Sequence, residues 1–127
     1  MTIKYKAVQT SEPGIKGGGN YKYYPRIYAR TKLNLREISK IISSRSTLHP
    51  ADILGTLTAL VEVIPELLLQ NNSIELGDLG TFSLHIKGES ADSSEKLNKK
   101  SIKDVKIAFR PGKYVKQKLG GASFTKQ

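Results

Sequence analysis

An apolar pattern with helical spacing between residues 35 and 69 most constrains the fold, because two helix-start signals accompany it. Asn34 with Glu37 three residues later is a variant of the capping box, so a first helix is expected to begin just after Asn34. His49 stands at the N-cap position of a second helix, and Pro50 occupies its first position, where a missing N–H costs nothing. The pattern therefore predicts an αα-hairpin.

The second helix of this hairpin is apolar over an arc wide enough to be covered on more than one side. Pro65 removes the hydrogen bond to the carbonyl of Val61, which predicts a kink or break there. The chain has 127 residues and 38% hydrophobic content, so its own core is expected to be thin. A second copy of the chain would supply the missing cover, which predicts a homodimer.

Alternating segments flank the hairpin and predict strands at 2–9, 22–30, 73–76, 81–86 and 102–109. Pro25 places the second strand at a sheet edge or at a bulge, and Val105, Ile107 and Phe109 are predicted to face inward. The polar stretch 87–101 is predicted to hold at most one short helix, around 93–98, and a short amphipathic helix is predicted over 113–119, with Phe124 anchoring the tail. This order indicates the α+β class: a helix hairpin, then a β-sheet with an arm-like region and a short C-terminal helix, preceded by two extra strands.

Charge is unevenly distributed along the chain. Its 21 Lys and Arg residues against 11 Asp and Glu residues give a net charge of +10. Residues 1–32 carry +6, residues 33–86 carry −3 and residues 87–127 carry +7. Such segregation favours a polyanionic partner, and the two basic ends are expected to form one cationic surface in the folded protein. A solvated lysine-rich surface is the alternative interpretation.

Several functional classes find no support in the sequence. Cysteine is absent, which excludes disulfides, thiolate zinc sites and cysteine nucleophiles. No apolar run approaches the roughly 20 residues of a membrane span, and the first residues lack the apolar core of a signal peptide, so we expect a soluble cytoplasmic protein. His49 and His85 have no metal or nucleophile partner at a recognisable spacing. We expect no enzymatic activity, metal, cofactor or small-molecule substrate.

Two motifs follow the helix hairpin, Ser-Ile-Glu-Leu-Gly-Asp-Leu-Gly-Thr-Phe over 73–82 and Phe-Arg-Pro-Gly-Lys-Tyr-Val-Lys over 109–116. Together with the hairpin, they resemble the bacterial histone-like HU/integration-host-factor family. Residues 1–32 resemble the N-terminal extension of the variant HU-like domains of the Bacteroidetes lineage. This resemblance divides the chain into an N-terminal β extension, 1–32, packed on the same domain, and an HU-like DNA-binding domain, 33–127.

The resemblance implies a nucleoid-associated, non-enzymatic, dimeric protein that binds duplex DNA through its phosphates with low sequence specificity. Family arms carry a proline that wedges between base pairs, but no proline lies between Phe82 and Phe109, so bending by intercalation is not implied. The candidate DNA-contacting residues are Lys96, Lys99, Lys100, Lys103, Lys106, Arg110, Lys113 and Lys116.

Two other functions stay open at this point. The acidic, serine-rich start of the arm is compatible with an HU-fold interaction module that has lost DNA binding. Alternatively, four tyrosines interleaved with basic residues in the second strand would suit an RNA-binding platform (Tyr21, Tyr23, Tyr24 and Tyr28), although packing of that strand on the helices is the favoured interpretation. Ile74, Leu79, Phe82 and Phe109 are expected to be core residues.

Overall fold

The computed structural model describes residues 2–12 and 14–127, which form two compact units. One unit comprises residues 34–117, and the other combines the chain up to Leu33 with residues 118–127. In chain order the elements are β1 (Thr2–Ser11), β2 (Tyr21–Ile27), α1 (Leu35–Ser44), α2 (Pro50–Leu69), β3 (Ile74–Glu75), β4 (Gly80–Gly88), β5 (Ile102–Pro111), α3 (Lys113–Leu119) and β6 (Ser123–Lys126). The α+β prediction is confirmed.

Both helix starts lie where the capping signals place them. The Asn34 side chain accepts a hydrogen bond from the backbone N–H of Glu37 at 3.0 Å. Nδ1 of His49 accepts one from the N–H of Ala51 at 3.1 Å, with Pro50 as the first helical residue. Each cap satisfies a backbone donor that has no partner inside its helix.

Of the kink or break predicted at Pro65, the break does not occur, because α2 runs without interruption from Pro50 to Leu69. Pro65 lies only four residues before the end of the helix, which tolerates the hydrogen bond that this proline cannot donate. It then stops at Gln70, and Asn71 adopts a left-handed conformation with φ of 68°. The side chain of Asn72 donates to the exposed carbonyl of Leu67 at 2.9 Å, so the asparagine pair terminates the helix as the sequence predicted.

The sheet of the 34–117 unit has the antiparallel order β3-β4-β5. In the β4–β5 hairpin Phe82 lies opposite Phe109, and their ring centroids are 4.8 Å apart. The apolar residues of β4 thus share one face of the hairpin with those of β5 (Phe82, Leu84 and Ile86 with Val105, Ile107 and Phe109). The polar residues occupy the other face, as period-2 alternation requires.

The two sequence motifs meet at the base of this hairpin. The N–H of Gly112 donates to the carbonyl of Leu79 at 3.0 Å, and a Cβ on Gly112 would collide with the carbonyl group of Asp78. Gly80 has a φ of 145°, and a Cβ there would lie 2.7 Å from the ring of Phe109. Both glycines are therefore required by close backbone approach.

The prediction that Val105, Ile107 and Phe109 face inward is wrong for the single chain. They are 49%, 60% and 46% exposed, and the end of α2 borders their face of the hairpin across an open groove. Among the hydrophobic side chains in the described part of the chain, only Ile53 and Leu68 are buried, at 5% and 4% exposure. Of the expected core residues, Leu79 is also about half exposed. None of the described helices is long and apolar enough to cross a bilayer.

The other unit contains a three-stranded sheet with the order β2-β1-β6, in which β1 pairs antiparallel with β2 and parallel with β6. Pro25 does lie in an edge strand, but that strand ends at Ile27 rather than at residue 30. The sequence analysis assigned no strand to 123–126, where β6 places Phe124 beside Ile3.

The short helix predicted around 93–98 is absent; the described backbone there forms turns, closed by N–H groups of Lys96 and Leu97 that donate to the carbonyls of Ser93 and Ser94. A single 3₁₀ turn follows instead, over Lys99–Ser101. The serine-rich sequence favours local side chain–backbone hydrogen bonds over helix propagation.

Replacing Gly112 with alanine is expected to lower the free energy of unfolding by about 1–3 kcal/mol, because the new methyl group overlaps the Asp78 carbonyl. Gly55→Ala in α2, where no atom lies within 4 Å of the added Cβ, is expected to raise it by about 0.5–1 kcal/mol. Urea unfolding at one protomer concentration measures both. Equal effects of the two substitutions would contradict the proposed contact.

Candidate nucleic-acid interface

The polar face of the β4–β5 hairpin carries two of the predicted cations. Lys106 lies opposite His85, and Arg110 lies opposite Thr81. Both basic side chains are exposed, and small residues between them, Ser83 and Ala108, keep this face open. Long cationic side chains on such a surface can reach an approaching polyanion without first breaking a buried contact.

A second group of predicted cations lies in the segment that connects β4 to β5. This segment is closed at its base by the N–H of Glu89, which donates to the carbonyl of Ser101 at 2.8 Å. Lys96 lies within the turns, and Lys99 and Lys100 belong to the 3₁₀ turn; all three side chains are exposed.

This 3₁₀ turn is held by a reciprocal cap. The side chain of Asn98 accepts from the N–H of Lys100 at 2.9 Å, and the N–H of Asn98 donates to the hydroxyl of Ser101 at 3.3 Å. The cap fixes the backbone from which Lys99 and Lys100 project, although their side chains remain free to move.

The third group is formed by α3, immediately after the close contact at Gly112. Lys113 and Lys116 are three positions apart and so project from neighbouring positions on one side of this short helix. Arg110 precedes the helix by three residues. Of the sequence-predicted set, Arg110, Lys113 and Lys116 therefore lie at the base of the hairpin. Lys96, Lys99 and Lys100 lie at its far end.

These two ends are separated by the length of β5. The eight residue steps from Ile102 to Arg110 correspond to roughly 26 Å at the usual rise of a strand, and Lys106 lies midway. Because successive phosphates of one DNA strand are spaced about 3.4 Å along the helix axis, the hairpin can follow several consecutive base pairs of a duplex. The arrangement is an extended line of charges rather than a compact pocket.

Lys103 differs from the rest of the set because its ammonium group lies 3.3 Å from a carboxylate oxygen of Glu89. The described residues contain no comparable ion pair for the other seven cations. Both partners are largely exposed, at 55% and 69%, so this pair contributes little stability and is easily exchanged for a phosphate.

Lys87 is an additional cation that is not among the candidate DNA-contacting residues predicted from the sequence. It follows His85 by two positions in β4 and lies opposite Asp104, on the polar face that also bears Lys106. The alternation of polar and apolar residues from Thr81 onward was the signal that could have found it. In the part of the chain that the structure describes, no group of His, Asp and Glu residues is suited to hold a metal ion.

Comparisons with known proteins agree with this architecture. A family model described as "HU domain fused to wHTH, Ig, or Glycine-rich motif", named HU-HIG, matches residues 1–126. No curated protein matches the chain. A solved structure with a similar fold is that of a "Putative bacterial DNA binding protein from Bacteroides vulgatus", with a TM-score of 0.67 at 10% sequence identity. The alignment covers 98% of this chain but 48% of that one, so the chain spans about half the length of this neighbour.

Asn98→Ala is expected to raise the exchange rate of the Lys100 amide hydrogen about fivefold, because loss of a side-chain cap costs about 1 kcal/mol. Ser94→Ala, in the same segment but outside the cap, is the matched control. Hydrogen exchange followed by NMR measures both. An unchanged rate in the Asn98 variant would show that the cap does not hold the turn.

Proposed function

We propose that this chain, which belongs to the HU-HIG family, is a non-enzymatic DNA-binding protein of the histone-like type that contacts duplex phosphates. The observation that carries the proposal is the line of exposed basic side chains from the β4–β5 connection to α3. The description of the Bacteroides vulgatus neighbour as a DNA-binding protein supports the same partner. Such a protein would act in the cytoplasm, at the nucleoid.

Low sequence specificity is supported by the kind of side chains in the proposed contact set. Seven of its eight members are lysines, and Arg110 is the exception. Lysine binds phosphate as a point charge, whereas base recognition in the major groove typically uses side chains with two fixed hydrogen-bonding groups. The small residues between Lys106 and Arg110 offer little that could read a base edge.

A homodimer is the second part of the proposal, and the apolar face of the β4–β5 hairpin supports it. Ile86 and Ile107 are 66% and 60% exposed on that face. A groove of about 520 Å³ lies between this face and the end of α2, where Leu68 and Leu69 line it. Apolar surface of this extent is rarely left open to water, and a second copy would bury both helices and hairpin.

Replacing Lys99, Lys113 and Lys116 with glutamine is expected to weaken duplex binding and to flatten its salt dependence. The slope of log K against log salt should fall by about 0.9 for each lost phosphate contact, or about 2.7 in total. Fluorescence anisotropy with a labelled duplex across a salt series measures the slope.

The control for that experiment removes three exposed cations around α1 (Arg36→Gln, Lys40→Gln and Arg45→Gln) and should leave the slope near that of the wild type. Absence of wild-type duplex binding at low salt would instead favour an HU-fold assembly module. Stronger competition by single-stranded RNA than by duplex would favour the RNA-binding alternative.

Ile107→Asp is expected to shift the protein from dimer to monomer, because a carboxylate would be buried in the apolar interface. Lys106→Asp, one residue away on the opposite face of β5, is expected to stay dimeric. Sedimentation equilibrium gives the masses, and circular dichroism verifies folding. A monomeric wild type at high protein concentration would refute the dimer.

A further inference from the structure

Most of the net positive charge of the molecule lies outside the unit that contains the proposed contact set. Residues 34–117 contain twelve basic and ten acidic side chains, for a net charge of +2. The other unit contains nine basic side chains and one carboxylate, for a net charge of +8 in about half as many residues. Because the phosphate backbone dominates nucleic-acid affinity, the smaller unit has the stronger electrostatic attraction for DNA.

The strand register places four of these charges on one face of the β2-β1-β6 sheet: Lys4, Lys6, Arg26 and the ion-paired Lys22. Lys6 lies opposite Arg26, and two residues further along β1 Val8 lies opposite Tyr24. Lys4 is on the same face as Lys6, with Thr125 of β6 beside it. We call the surface formed by Lys4, Lys6 and Arg26 the cationic sheet face; all three side chains are exposed.

Little within this unit neutralises the cationic sheet face. The strands β1, β2 and β6 contain no acidic residue. The single carboxylate of the unit, Glu12, forms an ion pair with Lys22 near the end of the sheet. The Lys6 ammonium lies 5.6 Å from the ring centroid of Tyr28, a cation–π contact that orients the charge without cancelling it.

The opposite face of the same sheet has a different character. Ile3, Tyr5, Ala7 and Ile27 line it, together with Phe124. The two most exposed tyrosines of β2, Tyr21 and Tyr23, also belong to this face, because they lie opposite Ser11 and Gln9. The two most exposed tyrosine rings and the three cations of the cationic sheet face are thus on opposite sides of the sheet, while Lys126 lies beside Tyr5 on the aromatic side.

We propose that the cationic sheet face is a second DNA-binding surface, which takes the phosphodiester backbone of duplex DNA. This inference rests on the proposed function, since it assigns an additional contact to the same ligand. Duplex is favoured over single strands because stacking platforms require several exposed rings beside the cations. The two most exposed tyrosines of β2 lie on the other face, and the Tyr28 ring beside Lys6 is engaged in the cation–π contact. Binding to this surface does not depend on base sequence, because contacts to phosphate carry no sequence information.

The geometry of the sheet suits this ligand. Side chains two positions apart in a strand are separated by about 6.7 Å, and neighbouring strands are about 4.8 Å apart. Lys4, Lys6 and Arg26 therefore form a flat triangle of cations that can contact adjacent phosphates at once. The planar guanidinium of Arg26 can also bind one phosphate through two N–H groups.

The test compares three variants of the full chain with the wild type by the salt dependence of binding to a labelled duplex. The first carries Lys4→Gln, Lys6→Gln and Arg26→Gln, which is expected to reduce the log–log slope by about 2.7. The second carries Arg36→Gln, Lys40→Gln and Arg45→Gln. It removes the same amount of charge and is expected to leave the slope unchanged. The third, Tyr23→Ala, removes an exposed ring from the opposite face and should also leave the slope unchanged.

The result separates this proposal from the function on which it rests. If the first variant keeps the wild-type slope while the Lys99, Lys113 and Lys116 variant loses slope, the second surface is refuted and the proposed function stands. If only the sheet variant loses slope, the second surface stands and the contact set of the other unit is wrong. If the Lys4, Lys6 and Arg26 variant has the same affinity and slope as the Arg36, Lys40 and Arg45 control, the inference is overturned, whatever the other variants show.

Competition with single-stranded RNA of equal length completes the experiment. Duplex should displace the label more effectively than RNA, and Tyr23→Ala should not alter that order. A preference for RNA that disappears in the Tyr23 variant would overturn the duplex assignment in favour of base stacking. Circular dichroism of each variant verifies that the strands remain folded.

Discussion

The close backbone contact between Gly112 and the turn at Asp78 and Leu79 is the constraint on which the candidate interface depends. It joins the start of β4 to the end of β5, sets the pairing of Phe82 with Phe109, and places α3 directly after the hairpin. Because a side chain at Gly80 or Gly112 would push these segments apart, two residues without Cβ atoms determine where Arg110, Lys113 and Lys116 lie.

Both sheets of the protein separate apolar side chains from basic ones. In the β4–β5 hairpin, the alternation puts Ile86 and Ile107 on one face and Lys106 on the other. In the second sheet, Ile3 and Ile27 are separated in the same way from Lys6. A sheet built like this can bury one face against protein and leave its charged face in water, where it can meet a polyanion.

The separation of apolar from basic side chains is important because the single chain buries few hydrophobic side chains. With Ile53 and Leu68 as the buried hydrophobic side chains of the described residues, folding gains little from each unit alone. In the proposed homodimer, the apolar helix and hairpin surfaces would form one half of a core. Burial of Val105 and Ile107 would then require the partner that their alternation in the sequence anticipates.

The sequence by itself determined the features that depend on near neighbours: the caps at Asn34 and His49, the asparagine stop after α2, and the polar–apolar alternation of β4 and β5. Only the tertiary structure decided the pairing of β6 with β1 and the face on which Lys4, Lys6 and Arg26 lie. Caps and alternation arise from interactions across a few residues, which residue types encode directly. Strand pairing joins distant segments, and a four-residue strand such as β6 carries too few side chains to specify its partner.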